Sequence, residues 1–269
     1  MSENITQQTY KISTNIEAMK TTLSAVSEIV EEATFNLESD GLRFYSMDPG
    51  HICLLDIFQE RGKSILFDHE FKFAVDPKEF LKELKKFKVG RWNYESLKLE
   101  LFGLNFGAQE DRYMIIKYKD QSARIELKEV MPSSIPKPKF QVTSKLVLPH
   151  DSVKAIKALE SFSDGVTFEV SKLPAIFKVK TKSDHVMHLE AEIFFSTCES
   201  EIQEDTSSSY GTDYLNKFLK VYLKATEENS TDLTVELGNK LPLKASFKVD
   251  INHSTLSNII YYLAPRIIE

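Results

Sequence analysis

Only two cysteines, Cys53 and Cys198, occur in 269 residues. Two thiols make no disulfide framework, and their spacing fits no metal site. A reducing, intracellular compartment is expected. Glycine is scarce, with 9 residues, and no glycine-rich turn precedes a helix to cradle a phosphate. No nucleophile elbow is present. His185 and His188 stand three apart in an alternating strand, which turns their rings to opposite faces and away from a shared metal. His51 reads as an edge or surface residue. The expectation is a protein that is not an enzyme, with no catalytic residue, no metal and no cofactor. No apolar run is long enough to span a membrane, and the start lacks the charged-then-apolar pattern of a secretory leader. Nor is there a basic excess: 40 acidic residues outweigh 34 basic ones, for a net charge of -6. Phosphate binders are usually basic, although the placement of charge decides more than its sum.

What the chain does have is pattern. With 42% hydrophobic and 28% charged residues, it is too long for one modest core, and two domains or one large all-β unit fit. Four segments show helical periodicity. The first is capped by Asn15 and steps through Ile16, Met19, Leu23, Val26 and Val30. The second opens at Asp76-Pro77, a cap followed by proline at the first helical position, and places Phe80, Leu84 and Phe87 on one face. The third starts near Pro149 and uses Val153, Ile156 and Leu159. The fourth starts near Thr212 and uses Tyr214, Leu215, Phe218 and Tyr222. Alternating segments between them read as strands: ATFNLES, LRFYSMD and HICLLDIF in one half, VTFEVS, IFKVKTK and HVMHLEAEIFF in the other.

The two halves repeat each other. Leu97, Leu99 and Leu101 are answered by Leu233, Val235 and Leu237, and Phe80-Leu81-Lys82 by Phe218-Leu219-Lys220, at an offset near 136. This is a duplication at domain scale. The joint is KEVMPSSIPKPKFQ, residues 128–141, whose prolines favour an extended, exposed connector. The expected organisation is an N-terminal extension at residues 1–8 that is disordered, a first domain at 9–127, the connector at 128–141 and a second domain at 142–269.

Lysines sit opposite the apolar faces. On the second helix Lys78, Lys82, Lys85 and Lys86 oppose Phe80 and Leu84; on the fourth Lys217, Lys220 and Lys224 oppose Phe218 and Tyr222. Lys154 and Lys157 belong to the third helix and Lys20 to the first. Any surface helix shows lysine to water, but symmetric repetition in both halves points to a shared role. Lysine is a mobile point charge suited to loose phosphate contact, not to fixed base reading. No aromatic residues interleave with these lysines, which argues against single-strand binding.

In their order and spacing, DGLRFYSMDPGHICLLDI (residues 40–57), FLKVYLKAT (218–226), LPLKASFKV (241–249) and YYLAPRI (261–267) resemble the sliding-clamp family of archaea and eukaryotes, the proliferating cell nuclear antigen. The resemblance runs from about Thr9 to the end. It implies an α+β DNA-clamp fold, two similar domains per chain, with helices lining a ring and sheets outside. It implies a DNA polymerase processivity factor: a trimeric ring that encircles duplex DNA without sequence preference, slides on it and tethers replication and repair enzymes. The partners so implied are a second and third copy of the chain, a replicative polymerase, a flap nuclease, a DNA ligase and a clamp loader, the enzymes docking through short motifs. A subunit of a heterotrimeric clamp, or a damage-checkpoint-type clamp, is the alternative. Carried across by motif, Lys20, Lys82, Lys154, Lys157 and Lys224 fall where the family has hole-lining basic residues; Lys78, Lys85, Lys86, Lys217 and Lys220 come from the helical wheel.

The same resemblance nominates a partner-peptide pocket at Met47, His51, Ile52, Leu54, Ile135, Pro136, Phe140, Pro242, Tyr262, Leu263, Ala264 and Pro265. Such pockets take one aliphatic and two aromatic anchors. It also nominates a subunit interface that pairs Ala123, Arg124, Ile125, Glu126 and Leu127 with Val186, His188, Glu190, Glu192 and Phe194 of a neighbour. Pro49-Gly50 stiffens the loop before His51, and Met131-Pro132-Ser133-Ser134 replaces a larger aliphatic in the connector, so peptide affinity is expected to be tuned differently. The acidic segment at residues 199–205 is expected on the outer rim.

Overall fold

In the computed structural model, the structure describes residues 9–62, 64–87, 96–103, 112–130, 135–136, 138, 141–160, 164–182, 188–194, 200–227, 231–251 and 254–266, with backbone alone for 159–160, 182, 188–194, 250–251 and 254–256. The first repeat runs β1 (Tyr10–Asn15), α1 (Ile16–Ser27), β2 (Ala33–Glu38), β3 (Gly41–Met47), β4 (Cys53–Glu60), β5 (Ile65–Phe67), β6 (Phe71–Val75), α2 (Pro77–Lys86), β7 (Ser96–Phe102), β8 (Tyr113–Tyr118) and β9 (Gln121–Glu126). The second runs β10 (Ser144–Leu148), α3 (His150–Glu160), β11 (Gly165–Ser171), β12 (Ile176–Lys182), β13 (His188–Phe194), β14 (Ser200–Ile202), β15 (Thr206–Gly211), α4 (Thr212–Ala225), β16 (Leu233–Leu237), β17 (Leu243–Ile251) and β18 (Ser254–Leu263). Strand, helix, five strands, helix, three strands therefore occurs twice.

Two compact units divide the chain. One holds Met1–Ser46, Asp56–Ser134 and Asn252–Ser257; the other holds Met47–Leu55, Ile135–Ile251 and Asn258–Glu269. A single cut in the connector does not describe this division, because the segment Met47–Leu55 belongs with the second unit. Strand pairing is duplicated as well. The first unit has the order β5-β1-β7-β8-β9 and the order β4-β3-β2-β6. The second has β14-β10-β16-β17-β18, with the start of β4 beside β18, and β13-β12-β11-β15.

The helices form where their caps and apolar stripes dictate. Asn15 Oδ1 accepts the N–H groups of Glu17 (2.9 Å) and Ala18 (3.0 Å), and Asp76 Oδ1 those of Lys78 (2.8 Å) and Glu79 (3.0 Å). Each cap of this kind is worth about 1 kcal/mol. One expectation fails at the end of α1. Val30 continues the three-and-four stepping, yet the helix stops at Ser27, and the N–H groups of Ile29 and Val30 both turn back to the Val26 carbonyl at 3.0 Å. Val30 is still buried, but in a turn past the helix. Helices α2, α3 and α4 start where predicted; the Leu159 side chain lies outside those described.

Each unit has its own aromatic core. In the first, Phe35 stacks on Phe73 with centroids 5.3 Å apart and touches Phe44 at 5.5 Å. In the second, Phe218 meets Tyr261 at 4.4 Å and Phe247 at 5.9 Å, and Tyr222 meets Phe247 at 5.2 Å. Fully burying one such side chain contributes about 1.5–3 kcal/mol. Among the described residues no helix is long and apolar enough to cross a membrane.

Candidate interaction surfaces

The amphipathic helices fix the lysines. On α2, Pro77, Phe80, Leu81 and Leu84 are buried, which leaves Lys78, Lys82, Lys85 and Lys86 exposed on the other face. On α4, Leu215, Phe218, Leu219, Val221 and Tyr222 are buried, and Lys220 and Lys224 are exposed. Lys217 differs from them. It is half-buried, with its ammonium 4.7 Å from the centroid of the Tyr214 ring one turn earlier, on the flank of the basic face. Lys154 is exposed and Lys157 half-buried on α3. Three of the predicted cations have carboxylate neighbours: Lys20 with Glu17 at 2.9 Å, Lys154 with Asp151 at 3.3 Å, and Lys86 with Glu83. Exposed pairs of this kind are worth 0–1 kcal/mol at most, roughly, so a phosphate can displace them.

The predicted peptide pocket falls within the second unit. Its centre is the turn between β3 and β4, built around Asp48. This side chain is buried, and its two oxygens accept four bonds. Oδ2 takes the Gly50 N–H at 2.8 Å and the Tyr214 hydroxyl at 2.6 Å; Oδ1 takes the Ile52 N–H at 2.7 Å and the Cys53 N–H. Burial pushes the carboxyl up, yet the donors from Cys53, Tyr214, Ile52 and Gly50 together outweigh it and hold it below the usual aspartate range. The Tyr214 hydroxyl, bonded to that carboxylate and partly desolvated, is pushed up to about 12. A Cβ on Gly50 would stand 2.9 Å from Asp48 Oδ2, so a larger residue there would press on the carboxylate that organises the turn. His51 sits at φ 57°, a left-handed conformation that favours glycine or asparagine, and the bonds around Asp48 hold it there.

The turn presents His51 and Ile52 outward, with Ile52 44% exposed. The Ile52 carbonyl accepts the Ala264 N–H at 2.8 Å, so two of the predicted pocket segments meet. Along β18, Ile259, Tyr261 and Leu263 face the core and Ile260 and Tyr262 the other way. Met47, Ile135, Pro242, Tyr262, Ala264 and Pro265 are half-buried, and Pro136 is exposed. Two assignments need correction as surface residues: Leu54 and Leu263 are only 2% and 4% exposed. Leu54 lies in a run of five buried residues that opens β4, and Leu263 shares the core parity of Tyr261. Phe140 lies outside the described residues.

The predicted interface strands are sheet edges: β9 ends the order β5-β1-β7-β8-β9, and β13 ends β13-β12-β11-β15. Ile125 and Leu127 are buried within their own unit, Ala123 is half-buried, and Arg124 and Glu126 are exposed. The Arg124 guanidinium lies 3.9 Å from the Tyr113 ring centroid, a cation–π contact. For His188, Glu190, Glu192 and Phe194 only the backbone is described, and Val186 lies outside the described residues.

Asp48 and Arg266 lie inside the motifs at residues 40–57 and 261–267 but are not among the predicted site residues, nor are Asp164 and Gly165; Tyr214 is predicted on the buried face. Asp48-Pro49-Gly50 carries an Asx-turn signature; the Tyr214–Asp48 and Arg266–Asp164 contacts are long-range and leave no local signal.

No protein-family model matches the chain. Known proteins do. The chain is 27% identical over 252 residues to the DNA polymerase sliding clamp of Nitrosopumilus maritimus, spanning 93% of this chain and 94% of that one. The structure of A. fulgidus PCNA with the C-terminal region of FEN-1 bound superposes with a TM-score of 0.77 at 21% identity, covering 97% and 99% of the two chains. PCNA from Thermococcus kodakaraensis gives 0.76 at 18% identity, covering 96% and 100%. In sequence along nearly its whole length and in its α+β architecture, the chain is a homologue of the archaeal DNA polymerase sliding clamps with the fold of PCNA.

Proposed function

We propose that this chain is a DNA polymerase processivity factor, a non-enzymatic clamp whose copies close into a trimeric ring around duplex DNA. The observation that carries the reading is end-to-end likeness to DNA polymerase sliding clamps, with no large part of either chain left over. The lysine faces of α2 and α4 supply mobile charge for sequence-independent phosphate contact. A topologically linked ring needs only weak contacts to stay centred and slide, and such contacts are salt-sensitive. The Ile52–Ala264 surface supplies the apolar site for short motifs of tethered enzymes, which raises their concentration at DNA. A PCNA bound to the C-terminal region of FEN-1 makes that segment the first probe. Of the connector, Ile135 and Pro136 would border this site, while residues 131–134, 137 and 139–140 lie outside those described; the acidic residues 200–205 would stay clear of DNA.

Self-assembly has support in the duplication. In the second unit, β18 lies beside the start of β4. The counterparts of β18 and β4 in the other repeats are β9 and β13, and both are edges. A neighbouring copy that sets its β13 against β9 repeats an arrangement the chain already uses and covers two exposed edges.

Light scattering on the purified chain tests the stoichiometry: three times 30.8 kDa is expected, and a persistent monomer overturns self-trimerisation. Loading on nicked circular DNA followed by linearisation tests the topology. The clamp is expected to run off the ends, and retention overturns the topological account.

A further inference from the structure

The chain end in the second unit is tied at two points. Ala264 donates its N–H to the Ile52 carbonyl at 2.8 Å, and Arg266 donates its own to the Ser209 carbonyl at 2.7 Å. Ser209 lies on β15, the edge of β13-β12-β11-β15. The first unit uses the same device. Past β9, Lys128 donates its N–H to the Ala74 carbonyl on β6 at 2.8 Å, and β6 is the edge of β4-β3-β2-β6. Ala74 and Ser209 are both the fourth residue of their strands. Each repeat thus straps an edge strand with the chain that leaves its last strand.

The second unit adds a side-chain clamp. Arg266 Nη1 donates to the Asp164 carbonyl at 2.8 Å, and Nη2 lies 3.3 Å from the Asp164 carboxylate. Gly165 makes the room, since a Cβ there would stand 2.8 Å from Nη1. We infer that Arg266, seated against Asp164 and Gly165, is a positioning residue that holds residues 262–265 ready for a partner peptide. This rests on reading that surface as the peptide site. Ala264 and Pro265 lie at or between the two ties, and Tyr262 lies in the strand that leads into them, so this backbone has little freedom left to lose. Releasing the Arg266 end removes no contact with the peptide. It leaves the tail to be ordered at each binding event, which lowers affinity through entropy. The fork is exposed, so its hold is modest.

The test is calorimetric titration with a synthetic peptide of the archaeal FEN-1 C-terminal region, on wild type, R266A, R266K and G165A. The G165A variant is the sharpest, because it unseats the guanidinium while every tail residue stays. We expect G165A and R266A to bind about two- to five-fold more weakly, with the loss in entropy, and R266K, which cannot fork, to fall between. Amide exchange at Ala264 and Arg266 should quicken in the free variants, with thermal midpoint and assembly mass unchanged. Unaltered affinity in both G165A and R266A, when the wild type binds, overturns the positioning role alone. No binding by the wild type overturns the peptide reading and the positioning role with it. A lowered thermal midpoint that accounts for the affinity loss assigns Arg266 to stability and also overturns the inference.

Discussion

Replacing Tyr214 by phenylalanine removes one hydroxyl from the second unit and leaves the ring in place. That hydroxyl is the only side-chain donor among the four described donors to Asp48, at 2.6 Å; the other three are backbone N–H groups of the turn itself. A hydrogen bond to a charged group contributes about 1.5–3 kcal/mol. Tyr214 is half-exposed, so water replaces part of the loss, and Y214F should cost about 1–2 kcal/mol. D48A strips the buried Cys53 N–H and the Ile52 N–H of their acceptor and should cost about 3–4 kcal/mol. Because the bond needs both partners, Y214F should cost almost nothing in the D48A background, for a coupling of about 1–2 kcal/mol. Urea unfolding of the four proteins at one fixed concentration measures it.

The pH dependence has a definite sign. The Asp48 carboxyl is held below its ordinary value, so the coupling is fully present above the unfolded value of about 4 and disappears as pH falls through the lower native one. Tyr214 is raised to about 12. Its contribution is therefore full below the ordinary tyrosine value of about 10 and lost as pH climbs toward 12. A coupling under about 0.5 kcal/mol near pH 7, or one already gone near pH 5, refutes the reasoning.

Burial first, and then the Asp48 charge, push the Cys53 thiol up to about 12, with Lys217 pulling the other way. Native Cys53 should be inert to a disulfide reagent near pH 8 and react normally once unfolded; modification of the native thiol at the free-cysteine rate contradicts this. Replacing Lys82 and Lys220 by alanine should each flatten the salt dependence of DNA binding by about one unit of log–log slope, equally for all sequences. A loss that depends on sequence, or no loss, removes those lysines from the DNA face. N15A and D76A should each lower stability by about 1 kcal/mol in urea titrations, and no change would mean that water serves those N–H groups as well.

Much of the fold was legible in the residues because local chemistry decides it. Asn15 and Asp76-Pro77 announce helix starts by supplying acceptors for orphan N–H groups. The doubled leucine strands show the duplication because strand parity survives divergence. The end of α1 was misread for a physical reason: a turn that returns Ile29 and Val30 to the Val26 carbonyl buries the same side chains that a further helical turn would. The surface proposed for peptide binding was legible only in part. Core and binding surface both ask for apolar residues, so Leu54 and Leu263 resembled Ile52 and Tyr262 until strand parity separated them. The Asp48–Tyr214 bond joins residues 166 apart, and the Arg266 clamp spans 102; neither leaves a periodic trace.

The duplication also gives a reason for the place of the proposed peptide surface. It needs the end of a last strand, the turn that precedes a fourth strand and the pairing between them. Among the described strands, β18 and β4 are neighbours of that kind; the matching pair, β9 and β13, are both edges, and under the proposed assembly a second copy brings them together. On the proposed function, peptide capture and ring closure would be two uses of one kind of strand pairing, one within the second unit and one between copies. A testable separation follows. Every described residue of the peptide surface belongs to the second unit, so diluting the protein until the ring falls apart should leave peptide affinity unchanged, within about two-fold, by fluorescence anisotropy. An affinity that collapses together with the assembly would mean that a neighbouring copy completes the site, and the division of labour between the two junctions would be wrong.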